Sequence, residues 1–285
     1  MQIERPFPNQ SDPKGLLPHP HIFQEFQMFT LYNNAYSTCS QKVRLVLAEK
    51  RVSWTDIQVN FARNEHLAPE YLRLNPNGVV PTLVHDDQVI MDSSVIMEYL
   101  DEVVPDPSMS ASTPLGRAEL RAWLRYFEEV PTTAVRVPSF NQAFLSRYAA
   151  LSEDDFSDAV NTRPLRKRFI EKMGQTGFSD KDLEVAYENI MQTCVRMQQA
   201  LSGRDWLLGG DRPSIADCCV APLLDRMEDL GHASLWEEQT EVRAWMERFR
   251  NRASWKETFY RGARLSHLYS DLDDKKRALT DLVSC

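Results

Sequence analysis

Glycine is scarce, with 10 in 285 residues, and neither GxGxxG nor GxxxxGK(S/T) occurs. A dinucleotide or P-loop site needs those glycines for close backbone approach to phosphate, so both classes are disfavoured. No apolar run approaches the roughly 18–20 residues of a membrane-spanning helix. The opening Met1-Gln2-Ile3-Glu4-Arg5-Pro6 lacks a basic-then-apolar layout, which predicts no secretory leader. Positive charge is not in excess: 33 Lys and Arg face 41 Asp and Glu, a net charge of −8. That balance argues against a nucleic-acid binder held by phosphate contacts. The 5 cysteines (Cys39, Cys194, Cys218, Cys219, Cys285) are odd in number and form no CxxC. They predict neither a disulfide framework nor a zinc site, and fit a reducing compartment with mostly buried thiols. The histidines His19, His21, His85, His232 and His267 show no metal-ligand spacing.

The length is ample for a packed core and predicts two domains. Pro6, Pro8, Pro13, Pro18 and Pro20 crowd the start, which reads as an extended arm. Phe26 to Tyr32 reads as a strand, residues 33–38 as a loop, and Val43, Val46, Leu47 and Lys50 as one helix face. Lys42 and Arg44 fall off that face and are expected to meet solvent or a partner subunit. Trp54, Ile57 and Val59 form a second strand, parallel to the first by the crossover rule. A helical turn around Pro69–Leu74 and the turn Asn75-Pro76-Asn77-Gly78 follow. A hairpin about Asp86-Asp87 and a helix from Ser93 to about Val103 close the unit. Beyond Pro114 the apolar residues recur at helical spacing only, through Leu115–Phe127, Leu183–Leu201 and Val242–Phe249. Ser214 and Asp217 have the spacing of a capping box, a folding device expected to be worth about 1 kcal/mol or more.

Four motifs in order carry a resemblance. They are Ser37-Thr38-Cys39-Ser40-Gln41-Lys42-Val43-Arg44-Leu45 after Leu31-Tyr32, Asn75-Pro76-Asn77-Gly78-Val79-Val80-Pro81-Thr82-Leu83, Asp92-Ser93, and Ser214-Ile215-Ala216-Asp217. Together they resemble the cytosolic glutathione transferases. The resemblance implies an α/β thioredoxin-like N-terminal domain (β-α-β-α-β-β-α) followed by an all-α C-terminal helical bundle. The chain then divides into an arm over 1–25, a glutathione-binding domain over 26–104, a linker over 105–113, an electrophile-binding helical domain over 114–265 and a charged tail over 266–285.

The same resemblance implies site residues. A cis Val80-Pro81 bond would offer the Val80 backbone to the cysteinyl part of glutathione. Ser93 and the free N–H groups of its helix would hold the γ-glutamyl carboxylate, while Asp92 would cap that helix or bind the glutamyl ammonium. His66 matches a contact to the glutathione glycine, or is a solvated loop histidine. Three residues compete to hold the thiolate: Ser37 resembles the serine of zeta- and tau-like members, Cys39 the cysteine of beta-class members and tetrachlorohydroquinone dehalogenases, and Ser40 the serine of F-type β-etherases. No metal is implied.

Pro114–Trp123 and the insert from Phe156 to Phe178 resemble the F-type lignin β-etherases, whereas the first domain resembles the dehalogenases. The resulting expectation is that glutathione, as co-substrate, displaces a phenoxide from a β-aryl ether aromatic ketone. The alternatives are reductive dehalogenation of chlorinated hydroquinones through Cys39, or a non-catalytic glutathione-binding scaffold. The expected setting is cytoplasmic, with a small aromatic electrophile, no nucleic acid or membrane partner, and a homodimer or a heterodimer with a related subunit.

Overall fold

A computed structural model describes residues 29–269 and 272. The arm, the start of the first expected strand, most of the charged tail and Cys285 lie outside the described residues.

The N-terminal unit runs β1 (Phe29–Asn33), α1 (Thr38–Glu49), β2 (Trp54–Gln58), two 3-10 turns, α2 (Pro69–Leu74), β3 (Thr82–His85), β4 (Gln88–Met91) and α3 (Ser93–Val103). The sheet order is β2-β1-β3-β4, with β1 parallel to β2 and the other pairs antiparallel. This is the thioredoxin-like order expected from the sequence. Asp86 and Asp87 join β3 to β4 with φ of 46° and 66°. Two positive φ values in a two-residue loop match the right-handed strand twist, and Asp tolerates them better than most residues.

The helical domain comprises α4 (Pro114–Glu129), α5 (Pro131–Ala134), α6 (Arg136–Ser139), a π-helical turn (Phe140–Phe144), α7 (Leu145–Ala149), α8 (Glu153–Asn161), α9 (Lys167–Met173), α10 (Asp180–Ala200), α11 (Ile215–Asp229), α12 (Thr240–Arg250) and α13 (Ala253–Thr258). The capping box at Ser214 and Asp217 is formed at α11, and Ser179 with Asp182 forms a second one at α10. One continuous apolar core runs from Leu31 on β1 through Val43 and Leu47 on α1 to Leu224 on α11 and Trp245 on α12. The segment from Phe156 to Phe178 packs its own small core, with Val160, Ile170, Met173 and Phe178 against Tyr148.

The expectation that Lys42 and Arg44 face solvent is corrected by the packing of α1. That helix lies against α3, α11 and α13, so every residue from Ser40 to Leu47 is buried. Among the described residues no helix is long and apolar enough to cross a membrane.

Candidate active site

The loop before α1 is held from several directions. Ser37 N and Asn34 O make a turn at 3.1 Å, and Asn34 Nδ2 donates to Val59 O at 3.0 Å. Gln41 Nε2 donates to Ala35 O at 3.1 Å and Ala263 O at 2.6 Å, while the Arg226 guanidinium donates to Tyr36 O. This bracing fixes where α1 begins. Ser37 is its N-cap, with an extended backbone and a side chain that accepts from Ser40 N at 3.4 Å. The N–H groups of Thr38 and Cys39 precede any carbonyl the helix could supply, so the helix start favours an anion there.

Ser37, Thr38 and Cys39 line a cavity of about 770 Å³, within the range of small-molecule sites. Ser40 does not. It is fully buried, and its hydroxyl accepts from Asn34 N at 3.3 Å beneath the loop. Being one residue further along α1 turns it toward the core, so of the three expected thiolate partners the cavity receives Ser37 and Cys39.

A second wall comes from the turn before β3. Val80-Pro81 is cis, as expected, and Val80 lines the cavity. Tyr71 OH donates to Val79 O at 2.7 Å, and Asn75 Nδ2 donates to the same carbonyl at 2.9 Å and to Thr82 Oγ1 at 2.9 Å. Burial pushes the Tyr71 phenol up to about 12, so it stays a proton donor. Gly78, at φ +60°, allows the turn to pass against Leu67, whose Cδ2 would sit 3.0 Å from an added Cβ.

His66 also lines the cavity, edge-on to Phe61 with ring centroids 4.8 Å apart. Burial, reinforced by the Arg163 charge, lowers its pKa to about 4, so the ring is neutral near pH 7. Its Nδ1 is buried without a hydrogen-bond partner among the described residues. Asp92 and Ser93 stand outside the cavity. Asp92 is exposed with φ 72°, and its Oδ1 accepts from Ser94 N at 2.9 Å, Val95 N at 3.2 Å and Ser94 Oγ at 2.6 Å. Its carboxylate therefore caps α3. Ser93, the first residue of that helix, is 4% exposed.

The far wall is built from residues whose orientation the sequence does not reveal. Phe140 and Phe144, on the π-helical turn, and Tyr148 bring aromatic faces to it, and Arg136, Arg163 and Arg166 bring charge. The run Arg163-Pro164-Leu165-Arg166-Lys167-Arg168 has the composition of a solvated charged face. Arg168 does face solvent, its side chain 92% exposed, whereas Arg163 and Arg166 turn inward. Cys194, Cys218 and Cys219 are buried, and burial raises all three thiols, Cys194 to about 12.

An anion-favouring helix start, a neighbouring backbone edge at Val80 and an orphaned His66 nitrogen suit a glutathione thiol and its flanking peptide. The comparisons agree. Residues 36–103 match the glutathione S-transferase N-terminal domain family and residues 162–248 the C-terminal domain family. Protein LigF of Sphingobium sp. strain SYK-6 is 26% identical over 242 residues, covering 82% of this chain and 94% of that one. The crystal structure titled β-etherase LigF from the same strain superposes with a TM-score of 0.74 at 25% identity, covering 81% of this chain and 98% of that one. Glutathione S-transferase TCHQD of Arabidopsis thaliana is 26% identical, covering 69% and 76% of the two chains. Maleylacetoacetate isomerase maiA of Aspergillus fumigatus is 30% identical over 207 residues, covering 71% and 78%. On its two matched domains and these relatives, the chain belongs to the glutathione S-transferase family, whose co-substrate is glutathione.

Proposed function

We propose that the chain is a glutathione transferase that cleaves β-aryl ether aromatic ketones. The observation that carries this reading is the single cavity that joins the start of α1 to an aromatic wall of Phe140, Phe144 and Tyr148. In the reaction the glutathione thiolate attacks the carbon that bears the ether oxygen. A C–S bond forms, the C–O bond breaks, and the phenoxide leaves with the electron pair and takes up a proton. The Ser37 hydroxyl and the Thr38 and Cys39 N–H groups favour the thiolate, since each is a donor aimed at developing or resident negative charge. Val80 offers its backbone to the cysteinyl segment, and His66 lies beside its glycine end. Ser93 and the start of α3 lie beyond the cavity, where the γ-glutamyl group of an extended tripeptide belongs. No protein nucleophile is required. The LigF name and title support the ether-cleaving branch.

Cys39 favours a second reading, because it and not Ser40 faces the cavity. In reductive dehalogenation the glutathione thiolate would first displace the halide, forming the aryl C–S bond as the carbon–halogen bond breaks and halide leaves. The Cys39 thiolate would then attack the sulfur of that aryl glutathione adduct. The arene then leaves with a proton as the reduced product, and a Cys39–glutathione disulfide remains for a second glutathione to resolve.

A cytoplasmic setting and a dimer with an identical or related subunit belong to the same reading. Val95 on α3 and Leu115 on α4, 50% and 81% exposed, supply apolar surface for such a contact. The deciding experiment is product analysis with glutathione and either a β-aryl ether ketone or a chlorinated hydroquinone. Phenol and a thioether support the first reading, and chloride with a reduced arene the second. Release of neither, together with no retention on immobilised glutathione, overturns both.

A further inference from the structure

Five arginines reach the cavity wall, and three of them are engaged. Arg147 donates to Tyr269 Oη at 2.6 Å, Arg163 donates to Asn64 Oδ1 at 3.4 Å and to Ala159 O, and Arg226 donates to Tyr36 O. Arg136, at the first position of α6, and Arg166, immediately before α9, differ from these. Each is half-buried and faces the cavity, and neither guanidinium has a hydrogen bond or ion pair with any of the described residues. They come from separate segments of the helical domain, so chain connectivity does not force them together.

We propose that Arg136 and Arg166 form an anion-binding clamp in the electrophile part of the cavity, and that the electrophile is an aromatic molecule bearing a carboxylate. The role of that molecule as the electrophile rests on the transferase reading; the clamp itself does not.

Electrostatics supports the geometry. Burial and the Arg136 charge lower the Arg166 pKa to about 10, offset in part by Cys39 and Glu128. Two cations held near each other in a half-enclosed space repel, and a planar guanidinium pair is suited to a carboxylate's two oxygens. The acidic residues on the same wall, Asp155 and Asp158, form no ion pair with either arginine among the described residues, and Asp155 already accepts from Ser152 Oγ at 2.7 Å. The charge is therefore left for a ligand. The ligand's other end is specified by Phe140 and Phe144, ring centroids 5.1 Å apart, with Tyr148 beyond. Aromatic faces beside two arginines without an ion-pair partner among the described residues select a flat ring with an anionic substituent. The position of Arg166 within electrostatic reach of Cys39 puts that ligand next to the start of α1, where the thiolate is expected.

The test is calorimetric titration of the full chain with 4-phenoxybenzoate and with 4-phenoxybenzamide, each with and without S-methylglutathione. Wild type is expected to bind the carboxylate about tenfold or more tightly than the amide, a preference that added salt erodes. In Arg136→Gln/Arg166→Gln the two ligands should bind within about twofold of each other. Arg147→Gln, which removes an engaged guanidinium, should keep the preference, and Lys at both positions should keep part of it. The single Gln variants carry the comparison if the double variant does not fold. Equal binding of the two ligands by wild type, or a preference that survives the double substitution, overturns the clamp. Absence of S-methylglutathione binding overturns the transferase reading and leaves the arene comparison standing by itself.

Discussion

Lys42 Nζ lies 2.6 Å from Glu128 Oε1, joining α1 of the first domain to α4 of the second. The ammonium is fully buried, and it also donates to Thr132 Oγ1 at 3.0 Å. Burial opposes its charge, but the Glu128 carboxylate, through its charge and the hydrogen bond it accepts, favours the ammonium, and the Lys42 pKa stands above the ordinary lysine value. Lys42 follows Cys39 by three residues at the start of α1, so the fold's domain junction and its candidate active site share one support. A cation there also favours negative charge at the start of α1.

Removing one partner of this pair should be costly. Lys42→Met leaves Glu128 without its counter-ion, and breaking a buried pair typically costs about 3–5 kcal/mol. Glu128 keeps 27% side-chain exposure, so the expected loss is at the lower end, about 3 kcal/mol. Lys42→Met/Glu128→Leu should recover at least half of it. Urea unfolding of the single and double variants measures both, and a double variant no more stable than the single one would contradict the account.

The thiolate assignment makes a prediction about three neighbouring positions. Ser37→Ala removes a donor at the cavity and the cap of α1, so kcat/KM should fall about 10–100-fold, the worth of one hydrogen bond to a charged group. Ser40→Ala loses only the bond to Asn34 N, and should cost about 1 kcal/mol of stability with activity within a few-fold of wild type. Cys39→Ala should spare ether cleavage, which needs no protein nucleophile. Steady-state kinetics on a β-aryl ether ketone checks all three, and a silent Ser37→Ala beside an inactive Ser40→Ala would reverse the assignment.

Acid should weaken the fold through its buried histidines. His232 is 9% exposed, with Nε2 2.6 Å from Gln142 Nε2 and 3.4 Å from Tyr187 Oη, and burial lowers its pKa to about 4. The unfolded chain takes up this proton near pH 6.5 and the folded chain only near 4, so stability is full above about pH 6.5 and falls between the two. His66 adds in the same direction, while Asp217 and Asp225, raised by burial, oppose it. His232→Gln should flatten the profile by about 2 kcal/mol between pH 7.5 and 4.5. Identical slopes for the variant and wild type in urea titrations would remove His232 from the explanation.

The first domain was readable because its signals are local. The Asp86-Asp87 turn, the cap at Asp92 and the start of α3 each follow from residues adjacent in sequence, whereas the cis bond at Val80-Pro81 was implied only by the family resemblance. Periodicity failed on α1 for a tertiary reason. A helix enclosed by neighbours has no solvent face, so Lys42 pairs with Glu128 and Arg44 reaches Glu257 O at 3.2 Å beneath the Tyr260 ring, 4.4 Å away. The far wall was hidden for a related reason. Arg136 and Arg166 are 30 positions apart, and only the fold of the segment from Phe156 to Phe178 brings them to one cavity. Ser40 shows the limit at single-residue scale, since a step of one residue on a helix decides between cavity and core.

Asp217 should prove more important than a helix cap. The spacing from Ser214 indicates a cap worth about 1 kcal/mol. In the fold the carboxylate is fully buried and accepts from four donors: Ser214 N at 2.8 Å, Ser214 Oγ at 2.6 Å, Leu207 N at 3.0 Å and Trp245 Nε1 at 2.8 Å. It therefore ties the start of α11 to the preceding loop and to α12. Asp217→Ala would strand the Leu207 and Trp245 donors in the core, each costing about 1–3 kcal/mol when unsatisfied, so the total loss should reach about 3 kcal/mol or more. Asp217→Asn keeps the shape and one acceptor oxygen but puts an amide donor against Ser214 N or the pair at Leu207 and Trp245, and should fall between wild type and alanine. Ser214→Ala leaves those two bonds in place and should cost only about 1 kcal/mol. Denaturant midpoints for the three variants test this order, and an Asp217→Ala loss no larger than that of Ser214→Ala would reduce the residue to a cap.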